Sequence, residues 1–380
     1  MTRRESILAV LDGAAVERPP VCVRLGLWHA DAVARDVLPA EIRGFSQEQV
    51  EDYLGFCRAA RHRTRPQLTF KRVETRQRQE GDAAVEEYLF PGKTLVRKTH
   101  LPAGGLAPYI VRHPLQIEED YDIVLSEMHE AYLDFDVTGF DVLDAQTGDA
   151  GLPVLILHSC PAHLVMLKWA GYEGFYLHLA EFPHKVESLI RELDELCRRD
   201  LWPAARASKA DLILHGNHFS TQMTPPPIFE KYFLPYFRGF NELMHRHGKK
   251  VMWHADAEMG GLLGQVLEAG FDAADCLATA PLVPQRIEDY FKAWDGRIVC
   301  WGGLPGTVFD PSFPLDEYRR YVDHLVRVTR DRNDFIFGVS DNVMPGAEWE
   351  RIAYLAEATG TIQRVDRETG SVGAEGQRRG

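Results

Sequence analysis

Cysteine is scarce in this chain, with six in 380 residues, and none stands at the Cys-x-x-Cys spacing. That offers neither a zinc ribbon nor a dense disulfide framework, so reduced thiols in a cytoplasmic protein are expected. Basic charge is short as well. Lys and Arg number 43 against 56 Asp and Glu, a formal balance of −13. Such an excess of acid argues against a nucleic-acid partner and leaves no polybasic patch for a membrane surface. No apolar run approaches the roughly 18 residues that cross a bilayer. The opening Met1-Thr2-Arg3-Arg4-Glu5-Ser6 has no apolar core behind its twin arginine, so a signal peptide is not expected. No strand-like segment is followed by a Gly-rich dinucleotide turn, which counts against an open nucleotide-binding sheet. What is there, 45% hydrophobic and 26% charged, is an ordinary globular balance with enough apolar material for a large core.

One stretch organises the rest. In Lys249-Lys250-Val251-Met252-Trp253-His254-Ala255-Asp256-Ala257-Glu258 a basic pair gives way to an apolar run that ends in a histidine and two carboxylates. Gly260-Gly261 and a helical pattern at Leu262, Leu263, Val266 and Leu267 follow. The reading is a buried strand, a polar turn and an amphipathic helix. His254 and Asp256 are two apart, so an extended backbone points both the same way.

Other segments repeat that plan. Helices are expected at Arg3 to Leu11 and within Phe45 to Ala60, where Ser46 and Gln49 form a capping box. Further helices are expected from Glu181 to Trp202, Pro227 to His247, Leu315 to Thr329 and Glu348 to Thr359. Strands are expected at Val21–Gly26, Phe140–Leu143, Pro153–His158, Asp211–His215, Phe271–Cys276, Arg297–Trp301 and Asp334–Gly338. Between about 68 and 100, three β-rich runs are split by Gly81-Asp82 and Pro91-Gly92, links too short for a parallel crossover. The pattern predicts an α/β chain: a (β/α)8 TIM barrel with an N-terminal helical segment and an antiparallel β insertion. Residues 1–364 would form one domain, and the Gly-, Arg- and Glu-rich tail 365–380 is expected to be disordered.

Polar groups collect where strands end: Arg24 and His29, His158, His215, Asn217 and His218, His254 and Asp256, and Ser340-Asp341-Asn342. In a parallel α/β protein these ends face one ligand site. His254, Asp256, Asp341, His215 and His218 together offer nitrogen and oxygen donors suited to zinc or another divalent ion with an open position. His254 and Asp256 equally suit orientation of a substrate carboxylate or water, or a bond to one another, and Asp256, Glu258 or Asp341 could serve as a general acid. Cys276 or Cys300 would add a thiolate. Glu258, at a helix start, reads as a partner of the helix dipole. Arg24, a charge inside an apolar run, needs a carboxylate from the protein or from a ligand. Trp28, Trp253 and Trp301 lie near strand ends, where Trp301 could floor a pocket and Trp253 reads as core. The run Arg61, His62, Arg63, Arg65 reads as solvated surface.

Taken together these residues resemble the uroporphyrinogen decarboxylase superfamily, which holds decarboxylases and zinc-dependent, corrinoid-linked methyltransferases. The likeness rests on Glu17-Arg18-Pro19-Pro20-Val21, on Pro226–Tyr236 with its Phe229-x-x-x-Phe233-Leu234-Pro235-Tyr236, on His247–His254, on Trp301-Gly302-Gly303-Leu304 and on Gly338–Gly346. It implies a barrel with the site at the strands' carboxyl end and a cavity shaped by Arg24, His29, His215, His218, Trp301 and Asn342. It also implies a homodimer. The Pro91–Leu95 turn within the insertion is similar to the methyltransferase-like branch. The departures are specific. Of the Arg-rich segment that porphyrinogen decarboxylases carry after the first strand, only Arg24 remains. Where the methyltransferases hold zinc with His-x-Cys and a later Cys, this chain has His254-x-Asp256 and Ser340-Asp341. Carboxylates in place of thiolates harden the site, so an alcohol, phenol ether or carboxylate suits it better than a thiol. The resemblance therefore implies a methyl group moved from a small methylated substrate to a corrinoid protein, with His254, Asp256 and Asp341 as metal ligands. A decarboxylase using Arg24 to bind the carboxylate is the alternative, and a small-ligand-binding barrel without chemistry is a third.

Overall fold

Seven parallel strands carry the molecule: β1 (Arg61–Arg63), β8 (Val154–His158), β9 (Leu212–Asn217), β10 (Lys250–His254), β11 (Ala273–Leu277), β12 (Val299–Leu304) and β13 (Phe335–Val339), hydrogen-bonded in that order. The computed structural model describes residues 1–64, 66–102 and 108–362, so the expected disordered tail lies outside the described residues. Helices follow the strands, as the alternating pattern predicts, including Leu315–Thr329 at the expected bounds. Among the described residues no helix is long and apolar enough to cross a membrane.

The sheet is curled. Residues from its opposite sides, Ile156 on β8 and Ile336 on β13, share one interior cluster with Leu214, Met252 and Trp301. The helix Arg3–Leu11 plugs the amino-terminal end of that interior with Ile7, Val10 and Leu11, and its Arg4 reaches Asp211, just ahead of β9. Alternate residues, Val251 and Trp253 for example, face outward into a larger cluster shared with the surrounding helices. Gly302 lacks a side chain for a packing reason, since a Cβ there would come 2.4 Å from the backbone nitrogen of Leu277.

The eighth position of the expected barrel is spanned by a thinner connection. Val21–Gly26, predicted as a full strand, makes one parallel bridge, Val21 to Phe337, and Gly26 already begins the helix Gly26–Ala34. Phe337 N–H donates to Pro20 O (2.8 Å), Cys22 N–H to Phe337 O (2.8 Å), and Cys57 N–H, ahead of β1, to Val21 O (2.6 Å). Pro19 and Pro20 have no N–H to give, which keeps this ladder short. Phe140–Leu143, also predicted as a strand, lies in the helix Gly139–Thr147; a four-residue run with three apolar members fits either period.

The antiparallel insertion is larger than the sequence suggests. Strands β3 (Glu74–Glu80), β4 (Ala83–Phe90), β5 (Lys93–His100) and β6 (Tyr109–Arg112) form one sheet, while β2 (Gln67–Phe70) pairs with β7 (Ala131–Asp134). An aromatic joint fastens the insertion to the barrel: Phe70 packs on Phe90 at 5.2 Å, and Tyr88 on Trp169 at 5.4 Å between ring centroids.

The helix Gln47–Leu54 forms with the expected Ser46 and Gln49 capping box. It carries a buried Glu51, which accepts a hydrogen bond from Gln47 at 2.8 Å. Burial raises the Glu51 pKa to about 7. The folded state therefore binds the proton more tightly than the unfolded chain, and stability falls as pH rises from about 4.5 to about 7. Glu51→Gln removes this penalty. We expect it to raise unfolding stability at pH 8 by about 1–3 kcal/mol and to change little at pH 4, as read from urea titrations.

Candidate active site at the carboxyl ends of the strands

Three of the parallel strands aim charged side chains into the carboxyl-terminal end of the curled sheet. Arg61 comes from β1, His254 from β10 and Asp275 from β11, each with the parity of its strand's interior residues. Arg61 spans the interior to hold Asp275 through both Nη atoms, at 2.8 and 2.6 Å. The other face of Asp275 meets His254 Nδ1 at 3.2 Å. The opposite ring nitrogen, Nε2, lies 3.2 Å from Asp256 and 4.0 Å from Asp341. Asp256 in turn meets His218 Nδ1 at 2.9 Å, just past the end of β9. Arg24 closes the ring: it pairs with Asp341, donates through Nε to Asn342 Oδ1 at 3.2 Å, and lies 3.7 Å from Cys276 Sγ.

The backbone is distorted where these groups emerge. Register shifts fall at Met252/His254, Ile156/His158 and Asp275/Leu277, each re-aiming a strand end as β-bulges do. His218, Cys276 and Asp341 adopt φ of +53°, +55° and +70°. Left-handed backbone costs a non-glycine residue energy and gathers at functional sites.

The charges hold one another. Burial alone would raise the pKa of Asp275, but Arg61 and His254 keep it well below the usual carboxylate range. Burial likewise opposes ionisation of Asp256, and His218 and His254 outweigh it. Burial works against a charged His254, yet Asp256 and Asp275 raise its pKa far above that of a free imidazole. His254 therefore presents a fixed ring: Nδ1 is committed to Asp275, and Nε2 faces Asp256 and the cavity.

That cavity is about 260 Å³ and is lined by Arg24, His218, His254, Asp256 and Asp341 together with Arg61 and Arg63. Asn217 also lines it, and its buried Oδ1 has no hydrogen-bond partner among the described residues. Among the described residues two sets of donors lie within 4.8 Å of one another: His218, His254 and Asp256, and His254, Asp275 and Cys276. The first set fits a metal better. Asp275 already accepts both Arg61 nitrogens, whereas two imidazoles and a carboxylate match a catalytic ion that keeps open positions. The Asp275 bond to His254 Nδ1 is the outer support such a ligand takes. Asp341, expected as a ligand, is instead engaged by Arg24.

Three expected cavity residues lie elsewhere. His29 turns to the carbonyl of Phe45 at 2.9 Å. His215 is one residue past the inward Leu214, so it faces the helices, where Tyr236 OH meets its Nε2 at 2.9 Å. Trp301 is packed in the interior hydrophobic cluster beneath the site. Trp253 is core, as expected, against Phe271 and Trp294. Glu258 accepts from Gly260 N–H at 2.6 Å at the start of the following helical turn, in keeping with its expected place. The basic run is the main correction. Arg61 is interior, not solvated surface, because its chain segment is the first strand of the sheet. Sequence reasoning also passed over Asp275, although a carboxylate inside Ala273-Ala274-Asp275-Cys276-Leu277 is the same kind of signal that singled out Arg24.

No family model and no curated protein sequence matches this chain. Among solved structures it is similar to a methyltransferase from Methanosarcina mazei, at 12% identity and a TM-score of 0.56, over 95% of this chain and 98% of that one. A ribulose-1,5-bisphosphate carboxylase/oxygenase from Pyrococcus horikoshii OT3 aligns at 9% identity and a TM-score of 0.30, over 91% of this chain and 59% of that one, too distant to carry an argument. The first likeness is one of fold, and it agrees with the curled parallel sheet of a TIM-like barrel.

Removing either member of the Arg61–Asp275 pair strands a buried charge. Arg61→Met and Asp275→Leu should each cost about 3–5 kcal/mol in urea unfolding, and the double variant clearly less than their sum. Additive losses would mean that the two groups are not partners.

Proposed function

We propose that this chain is a metal-assisted methyltransferase that moves a methyl group from a small methylated substrate to the corrinoid of a partner protein. One observation carries the reading: His218 Nδ1, His254 Nε2 and the Asp256 carboxylate converge at the carboxyl end of the sheet, with His254 held from behind by Asp275. The fold-level likeness to a solved methyltransferase supports it, as does the resemblance of the Pro91–Leu95 turn to the methyltransferase-like branch. His218, His254 and Asp256 would hold a divalent ion, zinc first among the candidates, which supplies Lewis acidity toward a substrate oxygen. Asp275 and Arg61 orient His254. Arg24 neutralises Asp341 and is itself held by Asn342, so the pair forms a fixed wall of the cavity that would receive the ion and substrate. A reduced corrinoid would supply the methyl acceptor, and the held ion would stabilise the substrate oxygen that keeps the electron pair of the broken bond. The hard donor set favours a methylated alcohol, phenol ether or carboxylate over a thiol. Arg24 is already paired with Asp341, which tells against the decarboxylase alternative that needed it for a substrate carboxylate.

The test combines metal analysis with methyl transfer to free reduced cobalamin, followed by its absorption change, across a panel of methyl ethers. We expect about one divalent ion per chain and transfer that is lost in His254→Ala and Asp256→Ala. Chelation should abolish transfer, and added zinc should restore it. A chain that retains no metal and transfers methyl groups regardless of chelator would refute the metal assignment.

A further inference from the structure

A second cavity, of about 280 Å³, lies outside the barrel, between the antiparallel insertion and the helices around β8. It is separate from the site described above: Ile156 of β8 faces that site, whereas its neighbour Leu157 faces this one. The wall is apolar, built from Leu133, Leu157, Leu164, Leu201 and the edge of Trp169. Two helices contribute through π-helical turns, Val165–Trp169 and Cys197–Leu201. Such turns place an extra residue in the helix and recur at functional sites. Here they supply Lys168 and Trp169 from one helix and Cys197 and Leu201 from the other.

The polar side of the cavity is unevenly balanced. Arg97 is paired with Glu86, whose carboxylate also accepts from Tyr88 OH at 2.5 Å. Lys168 stands at the mouth, exposed, with no ion pair or side-chain hydrogen bond among the described residues. The pocket walls partly desolvate its ammonium group and, with the charge of Arg97, lower its pKa, while Glu86, already engaged by Arg97 and Tyr88, offsets this only in part. A slot with one apolar wall, and at its edge a cation that makes no ion pair among the described residues, suits a ligand with a hydrophobic body and a single negative end.

We infer that this insertion pocket binds a small amphipathic monocarboxylate, its apolar body against Trp169 and the leucines and its carboxylate on Lys168. The inference does not depend on the methyltransferase reading.

Naphthalene-2-carboxylate, titrated calorimetrically into the full chain, is a suitable probe, with the uncharged 2-naphthalenemethanol beside it. The carboxylate should bind saturably, one per chain, with a dissociation constant in about the millimolar range or tighter. Lys168→Met keeps the aliphatic stem and should weaken binding about tenfold or more, as should replacement of the carboxylate by the alcohol. Lys168→Glu should weaken it further. Because Lys168 is exposed, these variants should fold, and circular dichroism checks that they do. His218→Ala, in the other cavity, should leave binding unchanged. The inference is overturned by an absence of saturable binding, by wild-type affinity in Lys168→Met and Lys168→Glu, or by loss of binding in His218→Ala.

Discussion

An arginine and an aspartate that face each other across the inside of a curled sheet decide how the candidate site is built. Arg61 and Asp275 sit on strands that are four places apart in the sheet order, yet they share two hydrogen bonds. Buried where water cannot screen them, neither is tolerable without the other. Their pairing fixes the distance between opposite walls at the top of the barrel. It also leaves the outer lone pairs of the Asp275 carboxylate free to accept, and His254 Nδ1 takes one of them. From that point the ring plane of His254 and the direction of Nε2 are set, and with them the relation of His254 to Asp256 and His218. A histidine on an apolar strand thus becomes a directed ligand or a held proton.

The chain as a whole is acidic, with a formal charge of −13. The cavity reverses that local balance: Arg24, Arg61 and Arg63 gather with two histidines around Asp256, Asp341 and Asp275. Most of these charges are spoken for within the protein, which is why the site is rigid rather than merely basic. Three left-handed residues and three shifted registers surround it. Local strain of this kind persists only where the surrounding packing enforces it.

The sequence made the alternation of strands and helices legible, because amphipathic helices such as Leu315–Thr329 repeat at 3.6 residues and the strands between them are short apolar runs. His254 and Asp256 were legible for a related reason, being polar residues placed abruptly at the end of such a run. Parity was not legible. A parallel strand buried on both faces shows no hydrophobic alternation, so nothing in Leu212-Ile213-Leu214-His215 says which side is inside. His215 accordingly faces the helices, and His218, after a left-handed turn, faces the cavity. Arg61 was hidden by context. Its strand is three residues long and basic, which looks like surface until its partner, more than two hundred residues away, is found across the interior. Long-range charge pairs of this kind leave no local pattern.

The central claim is that Asp275 commits Nδ1 of His254 and so directs Nε2 toward Asp256 and His218. Crystals grown with zinc, measured with anomalous scattering at the zinc edge, test it most directly. The account predicts a peak about 2.0–2.2 Å from His254 Nε2 and from Asp256, with His218 Nδ1 in the same shell and Asp275 still on Nδ1. A zinc ion bound to Nδ1, or held by Asp275 and Cys276 with His218 and Asp256 left out, would contradict it.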